Sequence, residues 1–377
     1  MRRLNRLSVP LALIAVIALV AIRYAPVQPD VFSGVERIVA VGDVHGGYDE
    51  FVAVLQATGV IDSGNRWSGG KTHLVQTGDL LDRGAASRRV MDLVMRLEPQ
   101  AVAAGGRVHA LIGNHETMNL TGDLRYVSQE EYAAFATPQS ADVRDRSYAA
   151  LADPARKDDA AYRQQWDKEH PLGWFEHRQA FRATERYGRW IRRHNTVVKI
   201  NDYLFLHGGI GPALSTSSVR EINDRVRAEI RLRDVPKDGL AVGRGGPLWY
   251  RGLAQNAEGD LQPYVDQLLT RYGVSHIVIG HTTTPGAVVP RLGGKILLID
   301  VGVSAGYGTH PACLVVQNGT AFALHRGQLL RLPLGDEGSI VAYLRSAAAL
   351  DPQPSSLDPL IAVDGRLPLP AEAGEKR

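Results

Sequence analysis

The 377-residue sequence predicts an α/β fold with α+β elements: a partly parallel sheet, a second sheet packed on it, flanking helices and one helical insertion. Three observations predict it. Short apolar runs recur, and each ends in a tight group of Gly with Asp, Asn or His. Helical patterns separate the early runs, which gives the βαβ rhythm of a parallel sheet. Later the runs lie closer together, with Asn318-Gly319 as a hairpin signal.

Taken in chain order, residues 1–29 form a leader. Met1 to Arg6 is basic, and the run Leu7 to Ile22 is apolar apart from Ser8 and Pro10, the pattern of a secretory signal or a single membrane anchor. Arg23 and Tyr24 stand where a small-x-small cleavage site belongs, which favours the anchor. Three early arginines keep the N-terminus cytoplasmic and predict an exported, periplasmic body, tethered or released after cleavage. The leader also explains the net charge of +3, because it holds four arginines and no acid. The remainder carries 39 basic and 40 acidic residues, so no basic surface points to nucleic acid. With 44% hydrophobic and 22% charged residues the body can bury a sizeable core, which excludes disordered and polytopic membrane classes. No obligate protein partner is indicated.

Strands are expected at 37–41, 72–77, 107–112, 203–206 and 276–279, leading into Gly42-Asp43-Val44-His45-Gly46, Gly78-Asp79-Leu80-Leu81-Asp82-Arg83-Gly84, Gly113-Asn114-His115-Glu116, His207-Gly208-Gly209 and Gly280-His281. Helices are expected at 49–58 and 85–96. Strands at 295–300, 312–317 and 321–325 are expected to form a second, largely antiparallel sheet. The stretch from about 123 to 195, rich in Ala, Arg, Gln and Glu, reads as a helical insertion beside the site, with Trp166, Trp174, Phe175, Phe181 and Trp190 as its own core. The catalytic domain then spans 30–349. Residues 350–377, rich in Pro, Ala and acids, read as an extended or disordered tail.

Each polar cluster alone has an ordinary explanation, since Asp after a strand commonly caps a turn. Five of them at strand ends, where open α/β sheets place their sites, converge on one place. They supply three Asp, one Asn and several His, and the single Cys313 rules out a thiolate or disulfide framework. A mixed oxygen and imidazole set suits manganese, iron or zinc rather than calcium. The number of ligands exceeds one four-coordinate ion, so two divalent metals sharing a carboxylate fit better.

These motifs, in this order, resemble the calcineurin-like metallophosphoesterases, specifically the phosphoprotein-phosphatase branch. Gly246-Pro247-Leu248-Trp249-Tyr250-Arg251 and Gly122-Asp123-Leu124-Arg125-Tyr126 resemble the bacterial-type Shewanella-like phosphatases within it. The resemblance covers roughly residues 36–330 and implies a β-sandwich of two packed mixed sheets flanked by helices. It also implies that Asp43 and His45 hold the first metal, that Asp79 bridges, and that Asn114, His207 and His281 complete the second. His115 would be the general acid, oriented by Asp82, with Arg83, Arg251 and Asn114 on the phosphate. Two divalent ions, manganese first among them, would acidify a bridging water that attacks phosphorus directly. The implied substrate is a phosphoprotein Ser/Thr or Tyr phosphate. Small phosphate esters or dinucleoside polyphosphates are the alternative, and a tethered, inactive binding protein is the non-enzymatic one.

Overall fold

In the computed structural model, residues 28–365 are described except Arg233, so the leader and residues 366–377 lie outside the described residues. After a short strand β1 (Val31–Phe32), β2 (Arg37–Val41), β3 (His73–Gln76) and β4 (Arg107–Ala110) pair in parallel, with Val39 opposite Leu74 and Leu74 opposite Val108. Their near-continuous burial follows from helices covering the sheet. The crossovers are α1 (Tyr48–Ala57) and α2 (Ser87–Ala103). Helix α2 runs past the expected end at residue 96 and through Pro99, because Leu97 and Ala101 continue the buried stripe of Val90, Met91, Leu93 and Val94.

A third helix, α3 (Asn114–Thr121), starts directly at the polar cluster that ends β4. The following stretch holds five helices: α4 (Gln129–Ala133), α5 (Ser140–Leu151), α6 (Ala160–Glu169), α7 (Trp174–Ala180) and α8 (Arg186–Ile191). Trp166 packs with Tyr148 and Ala152 in a small cluster of its own, whereas Phe181 and Trp190 join the main core. The Trp190 indole donates to Glu98 of α2 at 3.0 Å and fastens the insertion to the first layer.

The second sheet has the order β1-β5-β6-β7-β9-β8, built from β5 (Val197–Ile200), β6 (Tyr203–Leu206), β7 (His276–Ile279), β8 (Val289–Arg291) and β9 (Ile296–Leu298). Between β6 and β7 the chain forms α9 (Val219–Glu229), α10 (Gly252–Gln255) and α11 (Glu258–Tyr272). Strands β6, β7 and β9 are mutually parallel, so the late strands do not form a separate antiparallel sheet. Instead β10 (Ala312–Gln317), β11 (Thr320–His325) and β12 (Gln328–Arg331) add antiparallel to the free side of β2, which gives the first sheet the order β12-β11-β10-β2-β3-β4. Local apolar pattern defines a strand but not its neighbour. The side of β2 away from β3 needed a partner inside the buried layer, and β10 supplies it.

Over residues 350–365 the expected extended tail is packed on the domain; residues 366–377 lie outside the described residues. Helices α12 (Ile340–Ala348) and α13 (Asp358–Ala362) bury Leu344, Leu357 and Leu360. Asp351 is held there by His325 at 3.0 Å and Ser355 at 2.7 Å, so apolar and ionic contacts outweigh the Pro-rich composition. Among the described residues no helix is long and apolar enough to cross a membrane.

One apolar cluster runs through both sheets, and the sheets close on each other where their parallel strands end. Gly42 follows β2, and a Cβ there would collide with the backbone carbonyl of Ile299 after β9. Glycine is required by that approach. Gly42→Ala is expected to cost about 1–3 kcal/mol, as overpacking does. Urea unfolding checks it, and an unchanged midpoint would disprove the close contact.

Candidate metal centre

The site is assembled from strand ends of both layers. Asp43 and His45 follow β2, Asp79, Asp82 and Arg83 follow β3, Asn114 and His115 open α3, His207 follows β6 and His281 follows β7. Five of these residues adopt left-handed backbone conformations: His45 (φ 44°), Asp79 (58°), Asp82 (68°), Arg83 (67°) and His281 (64°). Non-glycine residues rarely do so without support. Glu116 provides part of it, because its buried carboxylate accepts the amides of Asp79 (2.8 Å), Leu80 (2.8 Å) and Gly113 (2.7 Å). It thereby locks the β3 and β4 turns together. Burial and the neighbouring Asp79 push its carboxyl up to about 7, against the pull of those amides.

At the centre lies Asp79. Its Oδ2 is 3.3 Å from His207 Nε2, and 3.8 Å from both His45 Nε2 and His115 Nε2. Two sets of ligand atoms lie within 4.8 Å of one another, His45–Asp79–His115 and Asp79–His207–His281, with Asp79 common to both. Asp43 completes the group: its carboxylate accepts the His281 amide at 3.1 Å, and its oxygens lie 3.8 Å from His207 and 4.0 Å from His45. Asn114 Oδ1 lies 2.8 Å from His207 Nε2. All six sequence-selected ligand candidates, Asp43, His45, Asp79, Asn114, His207 and His281, are therefore brought together and buried.

The donor chemistry fits divalent metal. A carbonyl only accepts, so His45 Nδ1 donates to Leu81 O (2.9 Å) and His207 Nδ1 to Thr77 O (3.0 Å), and each ring turns Nε2 to Asp79. His281 points its Nε2 at Trp249 O (3.3 Å), which leaves Nδ1 for the cluster. Backbone partners of this kind fix ligand tautomers. His207 Nε2 and Asn114 Oδ1 stand 2.8 Å apart, a nitrogen and an oxygen donor side by side as ligands of one cation would be. Burial lowers His45 to about 3 and His281 well below its usual value. Burial also raises Asp43, reinforced by Asp300 and Asp79. Asp79 goes the other way: burial opposes ionisation, but His207, His115 and His45 hold it well below the usual range.

His115 differs from the other rings. Its Nδ1 meets Asp82 Oδ2 at 2.6 Å, and Asn119 Nδ2 donates to the other Asp82 oxygen at 2.8 Å. Burial works against a charged ring, yet Asp79 and Asp82 together raise His115 above its ordinary value. Arg83 lies beside it, its guanidinium 4.7 Å from the Tyr126 ring and 5.4 Å from the Tyr307 ring. Arg251 approaches from the other layer and donates to His281 O at 2.5 Å and Thr282 Oγ1 at 3.2 Å. Burial lowers the Arg251 guanidinium, with Asp43 and Asp300 opposing.

Several polar members escape a reading of motifs. Asp300, buried after β9, accepts from Thr283 Oγ1 (2.7 Å) and Gly302 N (3.2 Å) and acts electrostatically on Asp43. An apolar run ending in Asp was its only signal. Asn119, one helical turn beyond His115, had none. Arg125 of the Gly-Asp-Leu-Arg-Tyr motif is exposed and pairs with Asp123 at 2.6 Å. Glu116→Ala would orphan three buried amides, and we expect a loss of more than about 2 kcal/mol in urea unfolding. A near-native stability would remove Glu116 as the lock.

The sequence from 36 to 285 matches the calcineurin-like phosphoesterase family. An uncharacterized Schizosaccharomyces pombe protein is 30% identical over 78% of this chain and 82% of its own. Shewanella-like protein phosphatase 2 of Arabidopsis thaliana is 29% identical over 73% of each chain. Among solved structures, the cold-active protein-tyrosine phosphatase of a psychrophilic Shewanella superposes with a TM-score of 0.63 at 30% identity, over 81% of this chain and 83% of that one. The family implies divalent metal ions, and the buried carboxylate and imidazole cluster offers them ligands. The chain belongs to the calcineurin-like phosphoesterase family and is a metal-dependent hydrolase of phosphate esters.

Proposed function

We propose that the protein is a phosphomonoesterase acting on phosphoproteins. The observation that carries this reading is the His115–Asp82 pair, hydrogen-bonded at 2.6 Å with His115 Nε2 turned to the Asp79 cluster. The names of the relatives, protein phosphatase and protein-tyrosine phosphatase, support the substrate class. The two tyrosine rings beside Arg83 favour an aryl ester. Asp43, His45, Asp79, Asn114, His207 and His281 would hold two divalent ions, manganese being the first to try. Such ions supply an acidified water and neutralise phosphate charge.

The chain's own residues do the rest. Arg83 and Arg251 enter from opposite layers, and their planar forks suit phosphate oxygens. Asn114 adds an amide at the same place. Asp82 accepts from His115 Nδ1, which holds a proton on Nε2 for the departing oxygen. Asn119 fixes the second Asp82 oxygen, so the carboxylate cannot turn away. The positive Arg83 opposes the charged His115 ring and so eases release of that proton to the departing oxygen. We further propose that residues 1–29 export the enzyme to the periplasm, as cleaved signal or as anchor. The supporting pattern is the basic start and apolar run.

The purified protein is expected to hydrolyse p-nitrophenyl phosphate with manganese, to lose that activity in EDTA and to regain it on metal return. Parallel assays with phosphotyrosine and phosphothreonine peptides and a dinucleoside polyphosphate decide the substrate. Exclusive cleavage of the dinucleotide would replace the phosphoprotein reading. No turnover of any ester by metal-loaded protein would end it. His115→Ala is expected to lose about 10²–10⁴-fold in kcat while metal content stays unchanged.

A further inference from the structure

The match to the family ends at residue 285, inside the loop that carries His281 from β7 toward β8. The first half of this loop is fastened to the metal centre. Arg251 donates to His281 O and Thr282 Oγ1, Thr283 Oγ1 donates to Asp300, and the Thr284 amide donates to Asp300 O at 2.7 Å. The second half is fastened to the C-terminal helices. Ser356 Oγ, just before α13, donates to Pro285 O at 2.5 Å, and the Tyr343 hydroxyl of α12 donates to Val288 O at 2.9 Å. Between these two bonds Ala287 packs with Ala347, Ala348 and Leu357 in a small apolar cluster. Gly286 has φ 114°, and a Cβ there would lie 2.5 Å from His310 Nδ1. Each residue from 285 to 288 is therefore held from outside the loop.

The segment that does this is itself tied down. The buried Asp351 carboxylate accepts from His325 Nε2 (3.0 Å), Arg326 Nε (2.6 Å) and Ser355 Oγ (2.7 Å), which fixes it to the end of β11. Ser355 Oγ in turn accepts the Leu357 amide at 3.1 Å, so the same knot sets Ser356 and Leu357 against the loop. A support of this kind has a purpose at His281, whose left-handed backbone (φ 64°) persists only where the surroundings impose it. A ligand loop ordered before the ion arrives also spends less binding energy on being ordered.

We propose that Tyr343, Ser356 and Leu357 are positioning residues for His281: the C-terminal helices clamp the 281–288 loop and so set the affinity of the divalent ion that His281 would hold. The inference rests on the metal centre, and not on the phosphoprotein substrate. It gives a segment outside the matched stretch a part in building the site.

The test is manganese binding to metal-free, full-length protein by isothermal titration calorimetry, with no substrate present. Tyr343→Phe combined with Ser356→Ala removes both hydrogen bonds to the loop and keeps its apolar contacts. One of two binding steps is expected to weaken about tenfold while the other stays within about threefold of the parent. Val94→Ala, a truncation in the buried stripe of α2, lowers stability away from the loop and is expected to bind manganese as the parent does. Unchanged binding in the double variant would overturn the proposal, as would equal weakening of both steps or the same weakening in Val94→Ala. If the double variant does not fold, Ser356→Ala alone decides, with about a threefold loss expected in one step and recovery in Ser356→Thr, which keeps the hydroxyl. A parent protein that takes up no manganese would remove the metal centre and this inference with it. A parent that binds two ions but cleaves no ester would end the phosphomonoesterase reading and leave this one standing.

Discussion

A single carboxylate, that of Asp79, is where the two layers of the molecule meet. His45 and His115 reach it from loops of the first sheet and His207 from the second, all within 3.8 Å of one oxygen. A buried anion is tolerated only when opposite charge or hydrogen bonds surround it, so the sheets cannot shift without exposing the cluster to a large desolvation cost. The close approach of Gly42 to Ile299 and the three amides gathered by Glu116 serve the same constraint. They hold the strand ends near enough for one oxygen to be shared.

Around that anion, identical side chains take different characters from the partner of one ring nitrogen. His45 and His207 give Nδ1 to backbone carbonyls, which are neutral, and turn Nε2 inward. His115 gives Nδ1 to Asp82, whose negative charge favours the protonated ring. The distinction between a ligand and a proton donor is thus drawn by Leu81 O and Thr77 O on one side and by Asp79 together with Asp82 on the other.

Much of this was legible in the sequence because each motif joins an apolar run to a glycine-flanked polar group. The early parallel strands and the side chains that gather around Asp79 follow from that alternation and the resemblance it carries. Strand partnership was not legible. Ala312–Gln317 reads as a strand wherever it pairs, and only the assembled layers show that it lies against β2. The segment after residue 350 misled for a related reason, since its few apolar residues matter through what they contact. Asp300 and Asn119 were hidden because their importance comes from neighbours far away in sequence.

The left-handed backbones of His45, Asp79, Asp82, Arg83 and His281 have an evolutionary consequence. If each costs about 1 kcal/mol, their sum is on the order of 5 kcal/mol, comparable to the net stability of many folded domains. Glycine at any of these positions would relieve the backbone and abolish a reactive group. Selection for robustness alone would therefore erode this protein's chemistry first, at the residues that define it. A lineage that kept the fold but lost the reaction should show glycine or asparagine at these five positions before its apolar core changes.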